Sequence, residues 1–117
     1  MSDITRHSPG KLFSGAVVHG NTVYLAGQTA SNYAAGVKGQ TEEVLAKIDA
    51  LLAQAGTDKS RILSANCWLS DIRNFEEMNE AWLAWVDKNN LPARATVEAK
   101  MARSSILVEI MVVAATK

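Results

Sequence analysis

The sequence predicts an α+β fold in the order strands, helix, strand, helix, strands, with both helices on one face of a sheet. Three observations carry this. Two stretches, around residues 44–55 and 75–86, repeat apolar residues at helical spacing, and a strand-like segment separates them. β-Branched and aromatic residues gather near the start, in "AVVHGNTVYLAG". The closing "ILVEIMVVA" is apolar on both of its faces, a pattern that belongs to a strand covered on both sides.

The elements follow in order. "AVVHGNTVYLAG" (16–27) predicts two short strands around a turn at Gly20 and Asn21, with His19 closing the first of them. "TASNYAAGVKG" (29–39) is small and glycine-bearing, which predicts a loop. "TEEVLAKIDALLAQAG" predicts the first helix. Val44, Leu45, Ile48, Leu51, Leu52 and Ala55 share one face, Glu42 and Glu43 fall in the first turn, and Gly56 stops it. "RILSANCWLSD" (61–71) predicts a strand with Trp68 and Leu69 at its apolar end.

"NFEEMNEAWLAWVDKNN" predicts the second helix, capped by Asn74 with Glu77 in a capping-box position. Phe75, Met78, Trp82, Trp85 and Val86 form its buried stripe, and Asn89 and Asn90 suit its end. Two last strands, at about 94–101 and 106–115, are joined by "ARSS". In the second of these, Ile106, Val108, Ile110 and Val112 point one way, while Leu107, Met111 and Val113 point the other. Two helices cover one face only, so the other face calls for a further copy of the chain.

Composition narrows the function classes. The chain has 117 residues, 48% hydrophobic and 21% charged, which suits one domain spanning 1–117. Twelve basic and twelve acidic residues give zero formal net charge, with no basic cluster to expect at nucleic acid or a membrane surface. The longest apolar runs are strand length, and "MSDITRHSPG" lacks a signal peptide's apolar core, so a cytoplasmic protein is expected. Cys67, the single cysteine, precludes an internal disulfide framework and reads as a small core residue. His7 and His19 are the only histidines, and no metal-ligand spacing or glycine-rich phosphate loop appears.

Arg94 and Glu109 stand out, because charge inside a buried strand is costly unless it is paired or used. If "ARSS" closes a hairpin with Met101 opposite Ile106, Glu98 faces Glu109 and Arg94 faces Val113. The two charges then share a face with an offset of four residues, roughly 13 Å at the strand rise. Either they flank a small ligand, or each meets a partner from another subunit. The plain alternative is a polar face with surface or interface salt bridges, and spacing alone favours it.

"LPARATVEAKMARSSILVEIMVVAA" resembles the C-terminal signature of the RidA (YjgF) family of reactive-intermediate deaminases. The shared elements are P-A-R before a strand, V-E within it, and V-E-I followed by small apolar residues. The resemblance continues upstream in "VYLAGQTA", in the first helix, and in "WLSDIRNFEEMNEAW" with its helix asparagine. It implies a chorismate-mutase-like mixed sheet with two helices on one face, assembled as a homotrimeric barrel with sites between subunits. It implies hydrolysis of imino or enamino acids such as 2-aminoacrylate to 2-oxo acids and ammonia, without metal or organic cofactor.

By the same resemblance Arg94 grips the substrate carboxylate and Glu109 handles the attacking water. Gly27 lets backbone approach the ligand, and Asn79 borders the cleft. Phe13 stands where many members have tyrosine, Ala26 where serine is frequent, and Thr96 where some have cysteine. These departures suggest a more apolar pocket that prefers imines of larger amino acids. A non-catalytic ligand-binding member is the alternative, ahead of a ribonuclease or translation inhibitor, which zero net charge disfavours.

Overall fold

Six strands form one mixed sheet with two helices against one face in the computed structural model, which describes residues 3–117. The elements are β1 (Ile4–Pro9), β2 (Ser14–His19), β3 (Thr22–Leu25), α1 (Val37–Gln54), β4 (Ile62–Leu69), α2 (Phe75–Trp85), β5 (Ala93–Glu98) and β6 (Val108–Ala115). Across the sheet the order is β1-β2-β3-β6-β4-β5; β4 and β5 run parallel and every other neighbouring pair antiparallel. The α+β class and the one-sided helices are those predicted from the sequence.

Local chemistry explains most boundaries. Gly20 adopts φ +60°, the left-handed conformation that a two-residue hairpin turn requires, and His19 pairs with Thr22 across it. β1 has no counterpart in the sequence reading, because "ITRHSP" shows no apolar alternation; it is an exposed edge strand, where polar residues suit solvent. α1 starts at Val37, inside the segment read as a loop. Val37 and Thr41 continue the buried face of Val44 and Ile48 backwards at helical spacing. Glu42 and Glu43 therefore lie beyond the first turn.

α2 differs at both ends. Asn74 makes no side-chain cap, so the capping box does not form, although Glu76 and Glu77 sit in the first turn, where the helix dipole favours them. The helix ends at Trp85 because Val86 turns extended, and Asp87 draws Asn89 and Asn90 into a turn of their own.

The largest correction concerns the end of the chain. β5 and β6 do not form a hairpin: β4 lies between them, parallel to β5 and antiparallel to β6. Arg94 pairs with Ala65, which pairs with Val112, not Val113. Glu98 does not face Glu109; its carboxylate accepts the Ile72 amide at 3.1 Å. A register displaced by one residue sends every side chain to the opposite face.

The core lies between the sheet and the helices. Val108, Ile110, Val112 and Ala114 of β6 are fully buried there, with Ala65, Cys67 and Leu69 of β4 beside them. Val44, Ile48 and Leu52 of α1 and Met78 of α2 close over these. Buried Gln40 ties the segment before β6 to α1: its amide donates to Ser105 O at 3.0 Å and its carbonyl accepts from Leu107 N at 3.0 Å. No helix among the described residues is long and apolar enough to cross a membrane. Ile110→Ala is expected to cost about 2–5 kcal/mol in urea unfolding. Glu42→Ala, on the exposed side of α1, should stay within about 0.5 kcal/mol.

Candidate functional site

The residues singled out by the sequence occupy three places in one chain. The first is the helix side of the sheet at its β5 edge. Arg94 is half-buried there, its guanidinium carbon 5.0 Å from the ring centre of Trp82 and 5.7 Å from that of Phe75. Both rings come from α2, so the helix sets an aromatic platform within cation–π range of the charge. Among the described residues Arg94 forms no ion pair.

Asn79, one turn from Phe75 on α2, and Thr96, two residues from Arg94 on β5, belong to the same place. Asn79 Oδ1 and Thr96 Oγ1 are buried without hydrogen-bond partners. Such groups are uncommon in a folded interior, where a protein group, a water or a ligand ordinarily satisfies them. Cys67 pairs with Thr96 across the strands, and burial pushes its thiol pKa up, opposed by the charge of Arg94 and the Thr96 hydroxyl. The thiol's contact with Thr96 falls short of a hydrogen bond that would satisfy the hydroxyl.

The second place is the opposite, open face. Glu109 alternates with the buried β6 residues, so it points away from the helices, beside its cross-strand partner Trp68. Gly27 abuts it. A side-chain carbon at Gly27 would overlap Glu109 Oε2 and lie 3.1 Å from the carboxyl carbon, so only glycine leaves the carboxylate this room. Gln28 fixes that approach by exchanging both backbone hydrogen bonds with Ile110, at 2.9 and 3.2 Å. Arg94 and Glu109 thus lie on opposite faces, which corrects the shared face expected from a hairpin.

Phe13 occupies the third place, in the turn between β1 and β2, 66% exposed. It lines a groove against Leu51 and Lys47 of α1 at the far end of the sheet from β5. Ala26, half-buried, donates its amide to Gly15 O at 2.9 Å and accepts from the Gln28 side chain. Among the described residues no three His, Cys, Asp or Glu side chains group as metal ligands would.

The sequence reading missed a clip that holds the segment after Gly27. Glu43 accepts the amides of Ser31 at 2.7 Å and Asn32 at 3.1 Å, while Lys47 donates to Thr29 O at 2.8 Å and Ser31 Oγ at 2.9 Å. The one available signal was their i,i+4 spacing, which also gives a 3.4 Å ion pair.

The Ser31 and Asn32 amides, helped by Lys47, hold the Glu43 carboxyl below its ordinary 4.5. A depressed carboxyl stabilises the folded state above the unfolded value and loses that contribution as pH falls through the folded one. The Ser31 and Asn32 amide resonances should therefore titrate together below pH 4.5. Glu43→Gln should abolish that titration.

The family model for Endoribonuclease L-PSP matches residues 4–116. A RutC family protein of Haemophilus ducreyi is 41% identical over 112 residues, 96% of either chain. The RutC family protein YoaB of Escherichia coli is 43% identical over 103 residues, 88% of this chain and 90% of its own. Among solved structures, NMB1025 of Neisseria meningitidis, a member of the YjgF protein family, superimposes with a TM-score of 0.94 at 38% identity, covering 98% of this chain and 96% of that one. Rv2704 of Mycobacterium tuberculosis, of the YjgF/YER057c/UK114 family, gives 0.88 at 28% identity, covering 97% and 99%. With the strand order, the paired Gly27 and Glu109, and the Arg94 platform all in hand, the chain belongs to the YjgF/RutC family, whose family model is named Endoribonuclease L-PSP.

Proposed function

We propose that the protein hydrolyses imino and enamino acids of the 2-iminopropanoate and 2-aminoacrylate type to 2-oxo acids and ammonia, as a cytoplasmic homotrimer with sites between copies. The observation that carries this reading is Arg94: a guanidinium with no acidic partner among the described residues, held on two aromatic rings beside two orphaned buried oxygens. A planar fork of this kind pairs bidentately with a carboxylate, which Lys does poorly.

In the proposed reaction Arg94 grips the substrate carboxylate. An enamine first takes a proton at carbon to become the protonated imine. Glu109 removes a proton from water as its oxygen attacks the imine carbon, opening C=N to a carbinolamine. The carboxyl then returns that proton to nitrogen, the C–N bond breaks and ammonia leaves, while the hydroxyl gives its own proton to the Glu109 carboxylate and becomes the 2-oxo carbonyl. Gly27 provides the space in which the Glu109 carboxylate works.

Composite sites are supported by two features. In one chain Arg94 and Glu109 face opposite sides and stand two strands apart, roughly 10 Å sideways, too far for one small ligand. β5 is an unpaired edge, and the open face carries Val17, Tyr24, Met111, Val113 and Val97, which ask for cover. Arg94 of one copy beside Glu109 of the next resolves both. RNA cleavage has less support, because zero formal net charge gives no phosphate-tracking stripe.

The test generates imines in situ with an amino-acid oxidase and follows 2-oxo acid and ammonia. Arg94→Ala is expected to lose about 100-fold or more in turnover, and Glu109→Gln to fold, bind 2-oxo acids and react slowly. Co-refolding the two inactive variants in equal amounts should restore about a quarter of wild-type activity, since random assembly leaves that share of interfaces intact. Full activity in Arg94→Ala ends the reading. Binding of 2-oxo acids by wild type without imine turnover leaves a ligand-binding protein.

A further inference from the structure

Next to Trp82 stands a second indole that the proposed reaction does not use. Trp85 closes α2, with its ring centre 5.5 Å from that of Trp82 and the two planes tilted by 55°. Trp82 is thus the common neighbour of Trp85 and the Arg94 guanidinium. Three contacts from outside α2 hold Trp85. Its Nε1–H donates to Asp49 Oδ2 of α1 at 2.9 Å. The Lys59 ammonium, from the turn leading into β4, lies 5.3 Å from its ring centre and donates to its main-chain carbonyl. Carbonyls at a helix end lack partners within the helix, and a cation there also suits the helix dipole. Helix ends ordinarily fray. This one is pinned at the indole nitrogen, the ring face and the backbone, and a close-packed neighbour such as Trp82 must follow it.

We propose that Trp85, tied down by Asp49 and Lys59, is a positioning residue for Arg94: acting through Trp82, it sets the direction in which the guanidinium fork meets a substrate carboxylate. The inference rests on the reading of Arg94 as the group that grips that carboxylate. Among the described residues no ion pair aims Arg94. Its direction is left to the packing around it, of which Trp82 is the nearer ring. Direction matters because a guanidinium pairs bidentately only when its plane meets that of the carboxylate. Asp49 is exposed on α1 and Trp85 is half-buried, so neither belongs to the core that makes the fold.

NMR titration with pyruvate as the probe tests this, because it reads weak affinities. Asp49→Ala removes the acceptor at an exposed helix position, where alanine keeps the helix, and should weaken pyruvate binding about 5-fold. Trp85→Phe keeps a ring, loses the N–H and should weaken binding to a similar degree. Asp49→Asn retains an acceptor oxygen and should bind within about 2-fold of wild type. In an Arg94→Lys background the point charge has no plane to set, so Asp49→Ala should change affinity by less than about 2-fold. Wild-type affinity in Asp49→Ala and Trp85→Phe, alongside lost binding in Arg94→Ala, overturns the inference and leaves the carboxylate grip of Arg94 standing. Failure of Asp49→Asn to restore binding, or an equal loss in the Arg94→Lys background, overturns it too. Undiminished pyruvate binding by Arg94→Ala ends the reading of Arg94 and this inference with it. The expected affinities without imine turnover end the deaminase reading and keep the role of Trp85.

Discussion

Strand β6 must have its backbone satisfied on both edges, and the rest of the architecture follows from that demand. Its residues Val108, Ile110, Val112 and Ala114 are fully buried, so water cannot serve their amides and carbonyls. β3 pairs with one edge and β4 with the other. With both edges taken, β5 has no place beside β6 and joins the sheet outside β4, in parallel. Gln40 does the same service for the approach to β6, supplying side-chain partners where no strand neighbours it.

Placing β5 at the edge decides where the charges go. Arg94 lands at the margin of the core, where α2 offers Trp82 and Phe75 instead of a carboxylate. A guanidinium tolerates this better than an ammonium, because it is weakly hydrated and stacks on rings. Glu109 sits in the most buried strand yet points to the open face, so it is half-buried and costs little. Its neighbours yield to it: Gly27 removes a side chain, and Trp68 flanks it. Local rules are broken on both faces: the open one has an absent side chain at Gly27, and the helix side has two buried oxygens without partners and, among the described residues, a cation without an ion pair. Functional sites are where such breaks concentrate.

The same arrangement connects chemistry to assembly. Helices cover one face and leave apolar residues of β2, β3 and β6 on the other. The proposed pair of charges is split between those faces. In the proposed assembly a second copy covers the open face and sets Arg94 of one copy beside Glu109 of the next, so one contact would answer both the packing and the catalytic requirement. The Glu43–Lys47 clip keeps the segment after Gly27 in place without that copy, through bonds to its own helix.

What the sequence determined by itself was local or periodic. The apolar spacing of α1 and α2, the alternation of β6, the turn at Gly20 and the burial of Cys67 were all legible, since each depends on residues close along the chain. Arg94 and Glu109 were legible as anomalies, charges in apolar company, and family resemblance added the motifs around them. Tertiary structure alone decided that β4 separates β5 from β6, that Arg94 aligns with Val112, and that the two charges face apart. Strand neighbours and register are set by burying the whole sheet under both helices, and with a side-chain period of two, a one-residue difference in that register turns a shared face into opposite ones.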